Sequence, residues 1–214
     1  MTESTTKPRN FLMLAPIFGA LLFMGLYFAA TTFYPGGSQA DTHSKSFSWT
    51  DNYWCNLLNE NAINGESNSA RPLAIGGMFV LSFTLAIFWY IFPLTIGLKK
   101  ELRLTIQISG VLAMTFGLFL STGMHDTIVN LASFFGLIAT VGTFIGLYKL
   151  RWTMLFWMGI FNLILVAVNN ILYYGDGFKL FLPVVQKITF LFFLLWICLI
   201  TLNLYNRQIK KNLL

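Results

Sequence analysis

The chain has 214 residues, of which 56% are hydrophobic and only 10% charged, and 22 of them are phenylalanine. A soluble domain of this length could not bury so much apolar surface, so the composition excludes a soluble globular protein and indicates a membrane protein. The formal net charge of +6 resembles a nucleic-acid-binding footprint, but its segregation by loop favours a role in membrane topology and excludes nucleic acid as a partner.

Six apolar segments are long enough to cross a bilayer, because about 20 residues of helix span the hydrocarbon core and satisfy their own backbone hydrogen bonds. These segments are residues 11–33, 73–98, 104–121, 127–147, 152–173 and 180–204. They predict an all-α, polytopic membrane protein: a single domain, residues 1–214, formed by a bundle of six transmembrane helices. Residues 35–71 are expected to form an extracytoplasmic cap between helices 1 and 2.

The basic residues concentrate on one side of this predicted topology. They are Lys7, Arg9, Lys99, Lys100, Arg103, Lys149, Arg151, Arg207, Lys210 and Lys211. By the positive-inside rule both termini are expected in the cytoplasm and the long first loop outside, in the inner membrane of a bacterium. The alternative that the first helix is a secretory signal is opposed by an apolar run longer than the usual 7 to 15 or so residues and by the absence of a clear cleavage site.

The loop between the first two helices is predicted to cover the outer face. Aromatic and aliphatic residues interleave with polar ones in residues 47–58, which is typical of a short amphipathic helix with Trp49, Tyr53 and Trp54 at headgroup depth. The two cysteines, Cys55 and Cys198, should lie most of a bilayer apart, which excludes a disulfide between them. We expect Cys55 to be buried against the bundle, with pairing to another chain as the alternative.

Polar residues within the apolar segments indicate which helix faces look inward. Residues Asp126, Asn130, Ser133, Thr140 and Thr143 recur at helical spacing, so they form one stripe of the fourth helix that should face other helices. On the fifth helix, Asn162 and Asn169 share a face and Asn170 is rotated by one residue. Buried amides of this kind usually bond neighbouring helices.

Lys187 is the most informative residue, because it lies inside the last apolar segment. An unpaired ammonium in hydrocarbon costs roughly 2.5 to 3.5 kcal/mol, so other protein groups should compensate it. Helix rise places Lys187 about 10 Å below the outer end of its helix, and its long stem would bring the ammonium level with Asn169 and Asn170. Pro183 is expected to kink or loosen the helix just outside it.

These depths predict an outward-opening polar pocket. Its candidate ligand-binding residues are Lys187, Arg71, Asn169, Asn170, His125, Asp126, Trp54, Asp51 and Gln186. Arg71 and Asp51 are expected to close the pocket from above, and Trp54 to line its entrance. The alternative interpretation makes Lys187 a structural salt bridge or a snorkelled lysine with no ligand.

Three functions fit such a pocket. The best prediction is recognition of an anionic amphiphile such as a lipid headgroup, with membrane lipids as the partners and Lys187 and Arg71 supplying charge. The first alternative is a membrane-embedded lipid hydrolase or transferase with His125 as general base and Asp126 as helix cap and counter-charge, although these two residues also fit an ordinary capped turn. The second is a small proton-coupled transporter that uses Lys187.

No metal or other cofactor is expected. The chain has only two histidines, His43 and His125, and no carboxylate cluster accompanies either of them. The zinc-dependent membrane hydrolases need several histidines, so this composition opposes that class.

Three short motifs carry a resemblance to a known family. The first helix ends in Tyr34-Pro35-Gly36-Gly37, the outer loop contains residues 51–58 (DNYWCNLL), and His125-Asp126 opens the fourth helix. In these features the chain resembles the bacterial six-helix integral membrane proteins of unknown function, which are distantly similar to the DRAM-type membrane proteins. The resemblance implies a six-helix fold over most of the chain. It implies no mechanism, because that family has no established activity.

Overall fold

The computed structural model describes residues 10–120, 124–175 and 179–212, and these parts of the chain form six α-helices and three short 3-10 helices. The α-helices are α1 (Ala15–Thr32), α2 (Arg71–Thr95), α3 (Lys100–Gly117), α4 (His125–Lys149), α5 (Thr153–Tyr174) and α6 (Leu182–Asn212). In the described ranges the sole β-type pairing is an isolated bridge between Asn61 and Ser67. The prediction of an all-α six-helix bundle with a cap between its first two helices is confirmed.

Five of these helices, all except α3, are long and apolar enough to cross a membrane. The exception, α3, has 18 residues and begins with a charged turn that contains Lys100, Glu101 and Arg103. It starts four residues before the predicted segment 104–121, because charged residues at a membrane surface can continue a helix although they end an apolar run. The helices therefore indicate a membrane protein.

Consecutive helices pack side by side, with α1 against α2, α2 against α3, α3 against α4 and α5 against α6, and α6 also contacts α1 and α2. Glycine permits close approaches between these helices. At Gly110 of α3 a Cβ would collide with the side chain of Trp89, and at Gly142 of α4 it would collide with Ile106. The backbones can approach at these positions only because no side chain intervenes.

The cap, residues 33–70, covers one end of the bundle and inserts part of itself between the helices. Its 3-10 helix Trp54–Leu58 inserts the indole of Trp54 between aromatic rings of α1 and α6, at centroid distances of 5.3 Å to Tyr27, 6.1 Å to Phe23 and 5.5 Å to Phe190. Trp54 is only 3% exposed. Trp54 therefore packs among the rings of the bundle and is not open to solvent, and a role for it in ligand binding stays a prediction.

A glycine turn leads the chain from α1 into the cap. Gly36 and Gly37 have φ values of 142° and 80°, in the region that L side chains rarely adopt. A Cβ at either position would also collide with backbone of the cap, at Ser44 and Asn64. The Gly-Gly pair thus lets the cap fold back over the end of the bundle, which we call the cap end.

Candidate functional site

Lys187 lies in the second turn of α6 and is 6% exposed. Its ammonium donates hydrogen bonds to the backbone carbonyl oxygens of Asn52, at 2.5 Å, and Pro183, at 2.9 Å. It also lies 5.6 Å from the centroid of the Phe47 ring, a cation–π distance. Asn52 and Phe47 belong to the cap, so the cation of α6 holds the cap in place. The protein compensates the charge as predicted, but with carbonyls and a ring instead of the amides of α5.

Gln186 makes a second link between α6 and the cap. Its Oε1 accepts a hydrogen bond from the backbone N–H of Trp54 at 3.0 Å, and its Nε2 donates to the Sγ of Cys55 at 3.5 Å. Cys55 is a free, partly buried thiol, and so is Cys198. Adjacent residues of α6 therefore bind adjacent parts of the cap.

Asn52 is the buried centre of this contact, and sequence reasoning assigned it no role. It is fully buried; its Oδ1 accepts from the Ser48 N–H at 2.7 Å and its Nδ2 donates to the Gly37 carbonyl at 2.9 Å. These bonds orient the backbone carbonyl that Lys187 reaches. The only sequence signal was an Asn four residues after a Ser, a local pattern common in ordinary loops.

Asp51 lies beside this contact without touching the lysine. Its carboxylate accepts hydrogen bonds from the hydroxyls of Ser48 and Thr50, and these bonds hold the pKa of Asp51 below its usual value. The positive charge of Lys187 lowers that pKa in the same direction, with a smaller effect than the hydroxyls. Among the described residues Arg71 and Glu60 form an ion pair, whereas Lys187 has no carboxylate within 4 Å. The geometry therefore does not support the salt-bridge interpretation of Lys187.

Arg71 stabilises a different part of the cap. Its Nε donates to the carbonyl of Leu58 at 3.2 Å, and its Nη1 lies 3.3 Å from the Oε1 of Glu60. None of these partners belongs to the Lys187 contact. The expectation that Arg71 closes a site above Lys187 is not met by this geometry.

Asn169 and Asn170 lie away from Lys187. The Nδ2 of Asn169 donates to the Oγ1 of Thr189 at 2.6 Å. Thr189 follows Lys187 by two residues, so it projects about 200° further round α6, on the opposite side of the helix. Asn170 is exposed and donates to the carbonyl of Val166 in its own helix. Asn169 and Asn170 thus take no part in the Lys187 contact, and ligand binding by any of the candidate residues stays a prediction.

Asn162 also differs from the expected interhelical bond. It is buried, and its Nδ2 donates to the Met158 carbonyl of its own helix at 2.9 Å. Its Oδ1 has no hydrogen-bond partner within the described structure. The helix α5 thus provides a partner for the amide nitrogen of Asn162 but not for its oxygen.

His125 and Asp126 form the first turn of α4 by their backbone, but their side chains lie outside the described part of the structure. Catalysis by His125 with Asp126 therefore stays a prediction. Pro183, in contrast, is well placed: it is the second residue of α6, where a missing N–H breaks no helical bond. It begins the helix, so the expected kink is absent at this position.

An apolar recess and the absence of a cluster of metal-ligating groups bear on the chemistry of the described residues. Within them, no three His, Cys, Asp or Glu side chains come together as a metal site would require. The recess lies between α2 and the end of α3, far along the chain from Lys187. It is lined by Leu58, Ile75, Met78, Phe79, Gly117, Leu118 and Leu120.

No protein-family model, curated protein or solved structure matches the chain. The likeness to the DRAM-type membrane proteins accordingly stays a prediction. Function has to be inferred from the geometry at the cap end alone.

Proposed function

We propose that this membrane protein binds an anionic amphiphile, such as a lipid headgroup, where the cap meets α6. The observation that carries the proposal is the ammonium of Lys187, which is buried and, within the described residues, has no carboxylate within 4 Å. Carbonyl oxygens and an aromatic ring solvate the cation, and the carboxylate of Asp51 acts on it only from beyond ion-pair distance. An anionic group would provide the charge-assisted bond that is missing.

Two unused hydrogen-bond donors support the same ligand class. An ammonium has three N–H groups, and Lys187 uses two of them on carbonyls. The indole Nε1 of Trp54 is buried and has no acceptor in the described part of the chain. Both donors belong to the contact between cap and α6, and a phosphate or carboxylate would supply acceptors. Because both are covered, the cap has to move aside for the ligand to enter.

The test is the lipid that the protein retains when it is purified in mild detergent, identified by mass spectrometry. We expect Lys187→Met to lose bound anionic lipid. Lys179→Met is the matched control, because Lys179 is an exposed lysine at the same end of α6. Retention of the same anionic lipid by Lys187→Met and the unmodified protein would contradict the proposal.

Gln186→Leu distinguishes the effect of the Lys187 charge on lipid retention from the effect of cap docking. This change removes both Gln186 bonds to the cap and leaves the Lys187 cation in place. We expect it to loosen the cap and to retain anionic lipid. If Gln186→Leu and Lys187→Met lose lipid equally, the docked cap and not the charge accounts for binding.

We further propose that the protein lies in the inner membrane of a bacterium, with both termini in the cytoplasm and the cap outside. The asymmetric distribution of Lys and Arg among the loops supports this orientation. The two other functions have no specific contact in their favour. The helix α6 runs without a break from Leu182 to Asn212, whereas transporter sites commonly use broken helices.

A further inference from the structure

Three polar side chains are exposed more than one turn inside the apolar helices α4 and α5, on parts that should lie in the membrane. They are Asn130 and Ser133 of α4 and Asn170 of α5, and both helices qualify as membrane spans. From the helical rise they lie about 6 to 12 Å below the cap end of their helices. A polar side chain at that depth is costly unless a hydrogen-bond partner accompanies it. At Asn130 and Ser133 the predicted α4 stripe thus does not face another helix.

At the opposite end, α4 and α5 pack tightly. The short connection 150–152 joins them there, and a Cβ at Gly159 would collide with the ring of Phe144. Phe144 also contacts Phe156, at a centroid distance of 5.5 Å, and Trp196 of α6, at 5.8 Å. Phe144 and Gly159 therefore define the faces with which the two helices meet.

Toward the cap end these same faces are open. Leu137 and Ser133 lie seven and eleven residues before Phe144, hence within about 20° of its direction, and both are exposed. Val166 and Asn170 lie seven and eleven residues after Gly159, and they are exposed too. Leu137 is 52% exposed and Val166 45%, whereas Phe144 is 8% exposed.

Each of the two helices has a different packing partner near the cap end. Near the cap end α4 packs on α3, where Phe135 stacks on Phe116 at 5.8 Å. There α5 bonds to α6 through Asn169 and Thr189. Toward the cap end the two helices are thus held by different neighbours, and their facing residues stay exposed. We call the space between them the α4–α5 cleft, lined by Asn130, Ser133, Leu137, Val166 and Asn170.

We infer that the α4–α5 cleft is a second lipid site, which takes one membrane lipid through the uncharged hydrogen-bonding groups of its headgroup and ester region. The cleft combines two amides and a hydroxyl with apolar walls, and a lipid offers both kinds of surface at this depth. None of its five lining residues is charged, so hydrogen bonding and not charge selects the occupant. This inference does not depend on the anion site at Lys187.

Photolabelling tests the cleft. The full-length protein is reconstituted in phosphatidylcholine vesicles that contain a phosphatidylcholine with a diazirine in one acyl chain, and labelled residues are quantified by mass spectrometry. We expect Leu137 and Val166 to be labelled more than Leu21 and Leu22, which are as exposed on a wholly apolar part of α1. A phosphatidylglycerol probe should label the cleft equally well.

The double variant Asn130→Leu/Asn170→Leu should lower labelling of the cleft about threefold to tenfold, which corresponds to the loss of two hydrogen bonds in a bilayer. Asn203→Leu is the matched control and should change nothing, because Asn203 is also exposed and bonds the carbonyl four residues before it, as Asn170 does. Ser133→Ala provides a milder variant with a smaller decrease in labelling if the double variant does not fold.

Two results would overturn the inference. One is equal labelling of the cleft and of α1 in the unmodified protein. The other is a disulfide between two chains at Ser133→Cys, in a background with Cys55→Ser and Cys198→Ser, together with an unlabelled cleft. That combination would make the cleft an interface between two copies of this chain.

Discussion

At the scale of single residues, the contact between Lys187 and the cap shows how a membrane protein retains a cation below its surface. Moving an ion from water into the protein costs roughly several kcal/mol of hydration free energy. Direct hydrogen bonds have to replace the lost hydration. Here the backbone carbonyls of Asn52 and Pro183 do so. Since one carbonyl belongs to the cap and the other to α6, the charge is stabilised only while the two remain docked.

Asn52→Ala should destabilise the cap by about 2 to 5 kcal/mol, because the partly buried Ser48 N–H and the buried Gly37 carbonyl would each lose a hydrogen bond. Hydrogen exchange of residues 36–58 measures the free energy of opening of the cap. Asn59→Ala is the control, since Asn59 is exposed and its side chain can be removed at little cost. An unchanged exchange rate in Asn52→Ala would contradict the role of this amide.

The pH dependence of the cap should reflect Asp51, whose pKa is lowered in the folded protein by the hydroxyls of Ser48 and Thr50. A depressed carboxyl pKa stabilises the fold above the unfolded value of about 3.9, and this contribution is lost as the pH falls through the folded pKa. Exchange in the cap should therefore be steady from pH 8 to about 5, after correction for intrinsic rates, and rise below about pH 4. Asp51→Asn should remove that rise; an equal rise in this variant would assign it to another group.

At the scale of helices, Gly159 determines how closely α4, α5 and α6 pack. A Cβ at this position would collide with Phe144 and would lie 2.8 Å from Trp196, whose indole N–H bonds the Leu155 carbonyl of α5. The contact excludes lipid from one end of the α4–α5 pair. At the other end no such contact exists between the described side chains of the cleft, and space remains.

Gly159→Ala should destabilise the protein by about 1 to 3 kcal/mol, because overpacking forces the three helices apart. Gly25→Ala is the matched control: Gly25 lies in α1 with no atom within 4 Å of an added Cβ, so its replacement should preserve or slightly increase stability. The two variants are compared by their thermal unfolding midpoints in detergent, with gel filtration used to measure the fraction that stays folded after heating. Equal midpoints would show that the α4–α5–α6 contact tolerates a methyl group.

At the scale of the whole molecule, the cap end brings together both proposed sites, but on different helices. The Lys187 site joins α6 to the cap, whereas the α4–α5 cleft lies across α5 from it, as the opposed directions of Lys187 and Thr189 indicate. Because the two sites share no hydrogen-bonding residue, their variants should have additive effects on lipid retention.

The orientation of the molecule can be tested with single cysteines in a background with Cys55→Ser and Cys198→Ser. Lys45→Cys lies in the cap, and Asn206→Cys lies near the opposite end of α6; both positions are exposed. A membrane-impermeant maleimide applied to intact cells should label position 45 and should label position 206 only after lysis. The reverse result would place the cap in the cytoplasm.

The amino-acid sequence alone determined the fold class, because long apolar segments have no stable alternative to helices in a bilayer. It also singled out Lys187, since a charge in such a segment has to be compensated. The partners of Lys187 were decided by the tertiary structure: backbone carbonyls occur in every residue and leave no trace in composition or spacing. Nor could periodicity predict that the outer part of the α4 stripe is exposed, because it gives the direction of a side chain from its own axis but not the distance to the next helix. That distance depends on contacts such as Gly159 with Phe144 and Asn169 with Thr189, which only the folded chain brings together.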